Sequence, residues 1–194
     1  MKALRECGVP FWFAFVAFPL FILLHEVGHY VAGAYLGFKP VLHYAVVEMT
    51  IPRERDTVAT ALLHSGAGPM VNAVLAIIGL GWLYALRGHR GEAEPTFADW
   101  VATTLALNAA RWAEVFMSRS GQVEPRDEVY ASQTLGSPIW LLPAVTALLA
   151  IAAVLATMRL HPPGQRVLPF VSAGIGGGLG VLLWMTVVGP FLLP

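Results

Sequence analysis

Five stretches of this chain are apolar for long enough to cross a lipid bilayer, and this decides most of what it can fold into. Crossing the hydrocarbon takes about 20 mostly apolar residues in a helix. There the backbone finds no water, so every N–H and C=O must be paired within the protein. The stretches cover residues 9–36, 61–86, 97–117, 138–158 and 167–193. Only 12% of the residues are charged, against about 25% in a soluble domain. That excludes a disordered chain or an ordinary cytosolic enzyme. The twelve basic and twelve acidic residues cancel, so no charge excess recruits nucleic acid or an anionic lipid surface. The expectation is an all-α membrane protein: one domain over 1–194, with about five transmembrane helices in the bilayer.

Lys2 and Arg5 precede the first apolar run as they would in a signal peptide. The run outlasts signal-peptide length and ends in no small-x-small site, so it reads as a true span. Five spans put the N-terminus and the loops near 87–97 and 159–166 on one face of the membrane. The loops near 37–60 and 118–137 lie on the opposite face. Lys2, Arg5, Arg87, Arg90, Arg159 and Arg166 then balance Lys39, Arg53, Arg55, Arg119 and Arg126, and charge assigns no orientation. On the opposite face, Pro40 to Ile51 is rich in Val, Tyr and Thr. It reads as an extended segment or short hairpin against the membrane.

Inside the first span stands His25-Glu26-Val27-Gly28-His29, an HExxH motif. Residues four apart share a helix face, about 5–6 Å between Cβ atoms. Two imidazoles at that spacing can hold one Zn²⁺, with Glu26 placed beside the metal to take a proton from the attacking water. His and Glu in an apolar span are costly without partners, which marks the position as functional. His29 lies eight residues before Gly37, roughly 12 Å along the helix from the opposite face. The site is therefore inside the membrane and nearer that face.

Such a zinc needs a third protein ligand and an open position. Asp127, just before the fourth span on the same face, is the preferred candidate, and its neighbour Glu128 could substitute. Glu114 is the main rival, being intramembrane, unless it pairs with Arg111 three residues earlier. His43 and His64 are on the same face too.

Two stretches, LLHEVGHYVAG (23–33) and SGAGPMVNAVLA (65–76), resemble the site-2 protease family of intramembrane zinc metalloproteases. The second is similar to the family's GPxxN-type motif. The resemblance implies a helical core, a metal below the membrane surface and a membrane-associated strand for substrate. It maps His25 and His29 to zinc ligands, Glu26 to the catalytic base and Asn72 to a polar position near the substrate or oxyanion. Where the family has Asn-x-x-Pro followed closely by Asp-Gly, this chain has Asn108-Ala109-Ala110-Arg111 and, later, Asp127-Glu128. In this it is more similar to the compact, divergent branch. The resemblance further implies a bacterial or archaeal cell membrane, with the site nearer the cytoplasmic face.

The expected activity is hydrolysis of peptide bonds in or near transmembrane segments of membrane proteins. The substrate must first be extended, because a helix hides its carbonyls in its own hydrogen bonds. The segment from Val41 to Ile51 could hold it by strand addition. Glu26 passes the proton of the attacking water to the leaving amine, while Asn72, or Asn108, steadies the developing oxyanion. Two other readings stay open: an inactive relative that binds membrane segments, and a prenyl-protease-like zinc enzyme using Glu114. The glycine run at 174–180 reads as close helix packing, with a hinge as the alternative.

Overall fold

The computed structural model describes residues 2–90, 93–109 and 127–194 of the chain. Helix α1, Lys2–Tyr35, runs without a break through Pro10 and Pro19. It ends where Gly37 turns into the left-handed region at φ 75°. There the Phe38 N–H donates to the Gly33 carbonyl and the Gly37 N–H to that of Ala34. This satisfies carbonyls that the helix end would leave unpaired.

A two-stranded antiparallel hairpin follows, β1 (Val41–Leu42) against β2 (Val47–Glu48), with Val41 opposite Glu48 and Leu42 opposite Val47. It rests on the end of α1, where Gly33 leaves room for Met49 and Pro40. Of the two readings of 40–51, an extended segment or a short hairpin, the structure has the hairpin, with strands of two residues.

Helix α2, Val58–Arg90, returns antiparallel to α1 and packs tightly at Gly28, where a Cβ would come within 2.8 Å of the Ala67 carbonyl oxygen. Helix α3, Phe97–Leu107, begins where the Asp99 carboxylate accepts hydrogen bonds from the Thr96 N–H and hydroxyl. It packs on α2 where Gly79 leaves space for Ala102 and Ala106. A short helix α4, Asp127–Thr134, precedes α5, Leu141–Leu160, and α6, Leu168–Leu183. Helix α6 lies parallel to α1, with Gly176 against the backbone of Phe11 and Gly180 against that of Phe15. The backbone stays helical through every glycine of the 174–180 run and becomes a π-turn only at Trp184–Val188, before a last turn, α7, at Gly189–Leu192.

The side-chain distribution is that of a protein solvated by lipid. Small residues such as Ala14, Ala109 and Ala150 fill the interior, while Ile77 is 71% and Leu148 67% exposed. Among the described residues, four helical segments are long and apolar enough to cross a membrane: Cys7–Tyr35, Val58–His89, Leu141–Leu160 and Pro163–Leu192. The remaining expected span, 97–117, is described only as far as residue 109, and its helix α3 has 11 residues. That is roughly 16 Å, too short to cross alone. Arg111 and Glu114 lie outside the described residues.

Candidate metal centre

Helices α1 and α2 build the centre between them. Along α2, His64, Gly68 and Asn72 recur every four residues and so share one face. On α1 the facing pair is His25 and His29. Because the helices are antiparallel, Asn72 meets His25, His64 meets His29, and Gly68 stands opposite both. A Cβ at position 68 would overlap the Nε2 atoms of the two histidines. Glycine is therefore the side chain that lets two imidazoles converge there.

Into that space the first residue of α4 brings a carboxylate. Asp127 Oδ2 lies 3.0 Å from His25 Nε2 and 3.1 Å from His29 Nε2, and the two nitrogens are 3.1 Å apart. The histidine and aspartate side chains come from positions 98 and 102 residues apart. Among the described residues, His25, His29 and Asp127 form the group able to hold a metal ion.

The donor chemistry fits a cation. His29 Nδ1–H donates to the His64 carbonyl at 2.8 Å, so in the neutral ring Nε2 presents a lone pair to the centre. That lone pair faces a carboxylate oxygen and a second imidazole nitrogen. A proton can join two of the three atoms, whereas a metal ion joins all three. A tetrahedral ion with bonds of about 2.0–2.1 Å separates its ligand atoms by about 3.3 Å, close to the spacing found. Two imidazoles and one carboxylate leave a position open, which is the pattern of a catalytic site.

Around the ligands the polar groups are stacked in depth. His25 Nδ1 lies 2.9 Å from the Asn72 side-chain amide, which carries both a donor and an acceptor end and can serve either tautomer of His25. Asn108 Nδ2–H donates to the Asn72 backbone carbonyl at 3.3 Å. Both asparagines are enclosed, Asn72 at 0% and Asn108 at 1% exposure. The structure thus brings Asn72 and Asn108 together behind His25, on the side of the ring away from Nε2.

Access comes from the Asp127 side. The histidine side chains are nearly closed off, while that of Asp127 is 30% exposed. Burial pushes the Asp127 carboxyl up. The hydrogen bonds and electrostatic effect of His25 and His29 more than reverse this, holding it well below the usual carboxylate range. It is the charged form that a cation requires. Glu26 is buried next to His25 on the same helix turn, close enough for its charge to act on His29.

Of the other candidates, Glu128 is buried beside Asp127 but does not join the converging group. Glu114 lies outside the described residues. His43 is on the hairpin, 3.6 Å from Glu48 and hydrogen-bonded to the Pro194 carbonyl. His64 is brought to the centre, although not as a ligand: its ring centroid lies 5.1 Å from that of His29. The signal that would have found this role is the four-residue spacing of His64, Gly68 and Asn72. Comparison with protein-family models, curated proteins and solved structures finds no match to this chain.

Proposed function

We propose that the chain is an intramembrane zinc endopeptidase of the site-2 protease type, cutting peptide bonds in or near transmembrane segments of other membrane proteins. The observation that carries this reading is the arrival of Asp127 at the two histidines that flank Glu26 in the HExxH turn, between helices fit to cross a membrane. A pure metal store or helix staple has no use for Glu26 at that place. The reading includes a third span completed beyond residue 109, and a bacterial or archaeal cell membrane with the centre nearer the cytoplasmic face.

His25, His29 and Asp127 would hold the zinc. When bound, it supplies Lewis-acid chemistry, polarising a peptide carbonyl and making water more acidic. The chain's own residues do the rest. The hairpin at 41–48 offers backbone N–H and C=O groups to an unwound substrate segment, which is held by strand addition. Glu26 accepts the proton of the attacking water and hands it to the departing amine. The apolar helices keep other water away, so the proton passes between these groups alone.

The test uses the protein purified in detergent, loaded with one equivalent of zinc, and labelled unfolded casein as probe. Wild type cleaves. Glu26→Gln keeps the zinc and loses cleavage by about 100-fold or more, as expected for a lost general base. Asp127→Ala loses the zinc while Glu128→Ala keeps it. Glu26→Gln cleaving at the wild-type rate would sink the proposal, and an inactive relative would hold zinc and cleave nothing.

A further inference from the structure

We infer that His64 supplies the hydrogen bond that steadies the substrate's carbonyl oxygen as it gains negative charge, an inference resting on the peptidase reading above. Hydrolysis pushes an electron pair from the attacked C=O onto its oxygen, and a donor placed there lowers the barrier. Asn72 and Asn108 are the donors that the sequence suggests. Both are enclosed behind His25, with Asn72 engaged by His25 and Asn108 by Asn72. Neither faces the open side of the centre.

His64 does have the required place. It stands one turn from Gly68 on the α2 face that meets the ligands, toward the face of the membrane where Asp127 enters. Its own carbonyl holds His29 Nδ1, which ties its position to the ligand set. Its ring is tilted by 58° against that of His29 at 5.1 Å. Its Nδ1 is buried and has no hydrogen-bond partner among the described residues. A buried polar atom gains from a hydrogen-bond partner, and a charged substrate oxygen is one that Nδ1–H can serve. The residue as a whole is half-buried; an entering segment meets its open edge, and rotation of the ring about the Cβ–Cγ bond turns Nδ1 toward that segment. A neutral imidazole N–H is sufficient for the task, and no proton is transferred: the bond forms to the charged oxygen and is released when the carbonyl re-forms in the product.

The experiment compares wild type, His64→Ala and His64→Gln, all zinc-loaded in detergent. Three quantities are measured: zinc per chain, kcat and KM on labelled unfolded casein, and the Kd of a peptide phosphonate whose oxygens imitate the charged oxygen. The expected result is unchanged zinc in all three. In His64→Ala, kcat falls about 100-fold with little change in KM, as for a donor acting in the transition state. Phosphonate binding weakens about 10-fold in the same variant. His64→Gln, which keeps a donor, recovers about 10-fold of the lost kcat. A purely structural histidine would show no such rescue. Zinc lost from His64→Ala would overturn the assignment by making His64 a ligand or a prop for one. Equal cleavage by wild type and His64→Ala would overturn it while leaving the peptidase reading intact. A zinc-loaded wild type that cleaves nothing would overturn both.

Discussion

A methyl group at position 68 would occupy the space in which the two imidazole nitrogens meet. Gly68→Ala is therefore expected to leave the fold in place and weaken zinc binding by about 100-fold, at the upper end of what a perturbed ligand surrounding costs. Competition against a calibrated chelator measures this, and unchanged affinity would refute it. At this scale the sequence is informative where chemistry is local. His25 and His29 are legible because four residues make one helical turn. Asp127 is legible because only certain loops reach the same membrane face at the right depth. The partner of Asn72 is not legible, because it depends on how far α2 is rotated against α1. No periodicity within either helix encodes that rotation; it follows from the close approach of Gly28 to Ala67.

Between elements, α6 approaches α1 backbone to backbone. A Cβ at Gly176 or Gly180 would overlap the backbone carbonyls of Phe11 or Phe15, whereas Gly174 and Gly178 have nothing within 4 Å. Without water to expel, helices in lipid gain from exactly such close backbone packing through dispersion. Gly180→Ala is expected to lower stability by about 1–3 kcal/mol, as overpacking does. Gly178→Ala should stay within about 0.5 kcal/mol of wild type. Thermal unfolding in micelles separates the two, and equal melting temperatures would contradict the packing. The glycine run could be read as packing or as a hinge; the structure supports packing. The irregular turn lies just after it, at 184–188, where Trp184 Nε1–H donates to the Tyr44 carbonyl and ties α6 to the hairpin. That tie joins positions 140 residues apart, and nothing local in the sequence announces it.

For the molecule as a whole, apolar length made the membrane legible at once, and the inverted distribution of large and small side chains agrees with it. A polar cluster at the end remote from the metal centre was not legible, since its members are scattered along the chain. There Arg87 and Asp99 form an ion pair at 3.1 Å. His161 Nε2 lies 2.8 Å from the Thr103 hydroxyl, and its ring stacks on Trp100. Burial, aided by the positive charge of Arg87, pushes His161 from 6.5 down to about 4. As pH falls through that interval the unfolded chain takes up a proton that the folded chain refuses, so stability present above pH 6.5 is lost toward pH 4. The loss approaches about 3 kcal/mol at the lower end. Melting temperature in micelles should therefore fall between those pH values in wild type and much less in His161→Gln. Parallel curves for the two proteins would remove His161 as the cause.

Asp127 of the 194 residues meets His25 and His29 from 102 and 98 positions away. His25 and His29 lie one turn apart on α1 and are made together, yet two imidazoles alone fall short of the three protein ligands that a catalytic zinc uses. On the proposed reading, zinc would be retained only after α4 has emerged and docked, and a half-made chain would not yet cut the nascent helices of its neighbours. Ribosome-stalled chains ending at residue 107 should retain no zinc through a desalting column, while those extended past residue 160 should retain it. For such a peptidase, the order in which the ligands are translated would serve as a safety catch, released by completion of the fold.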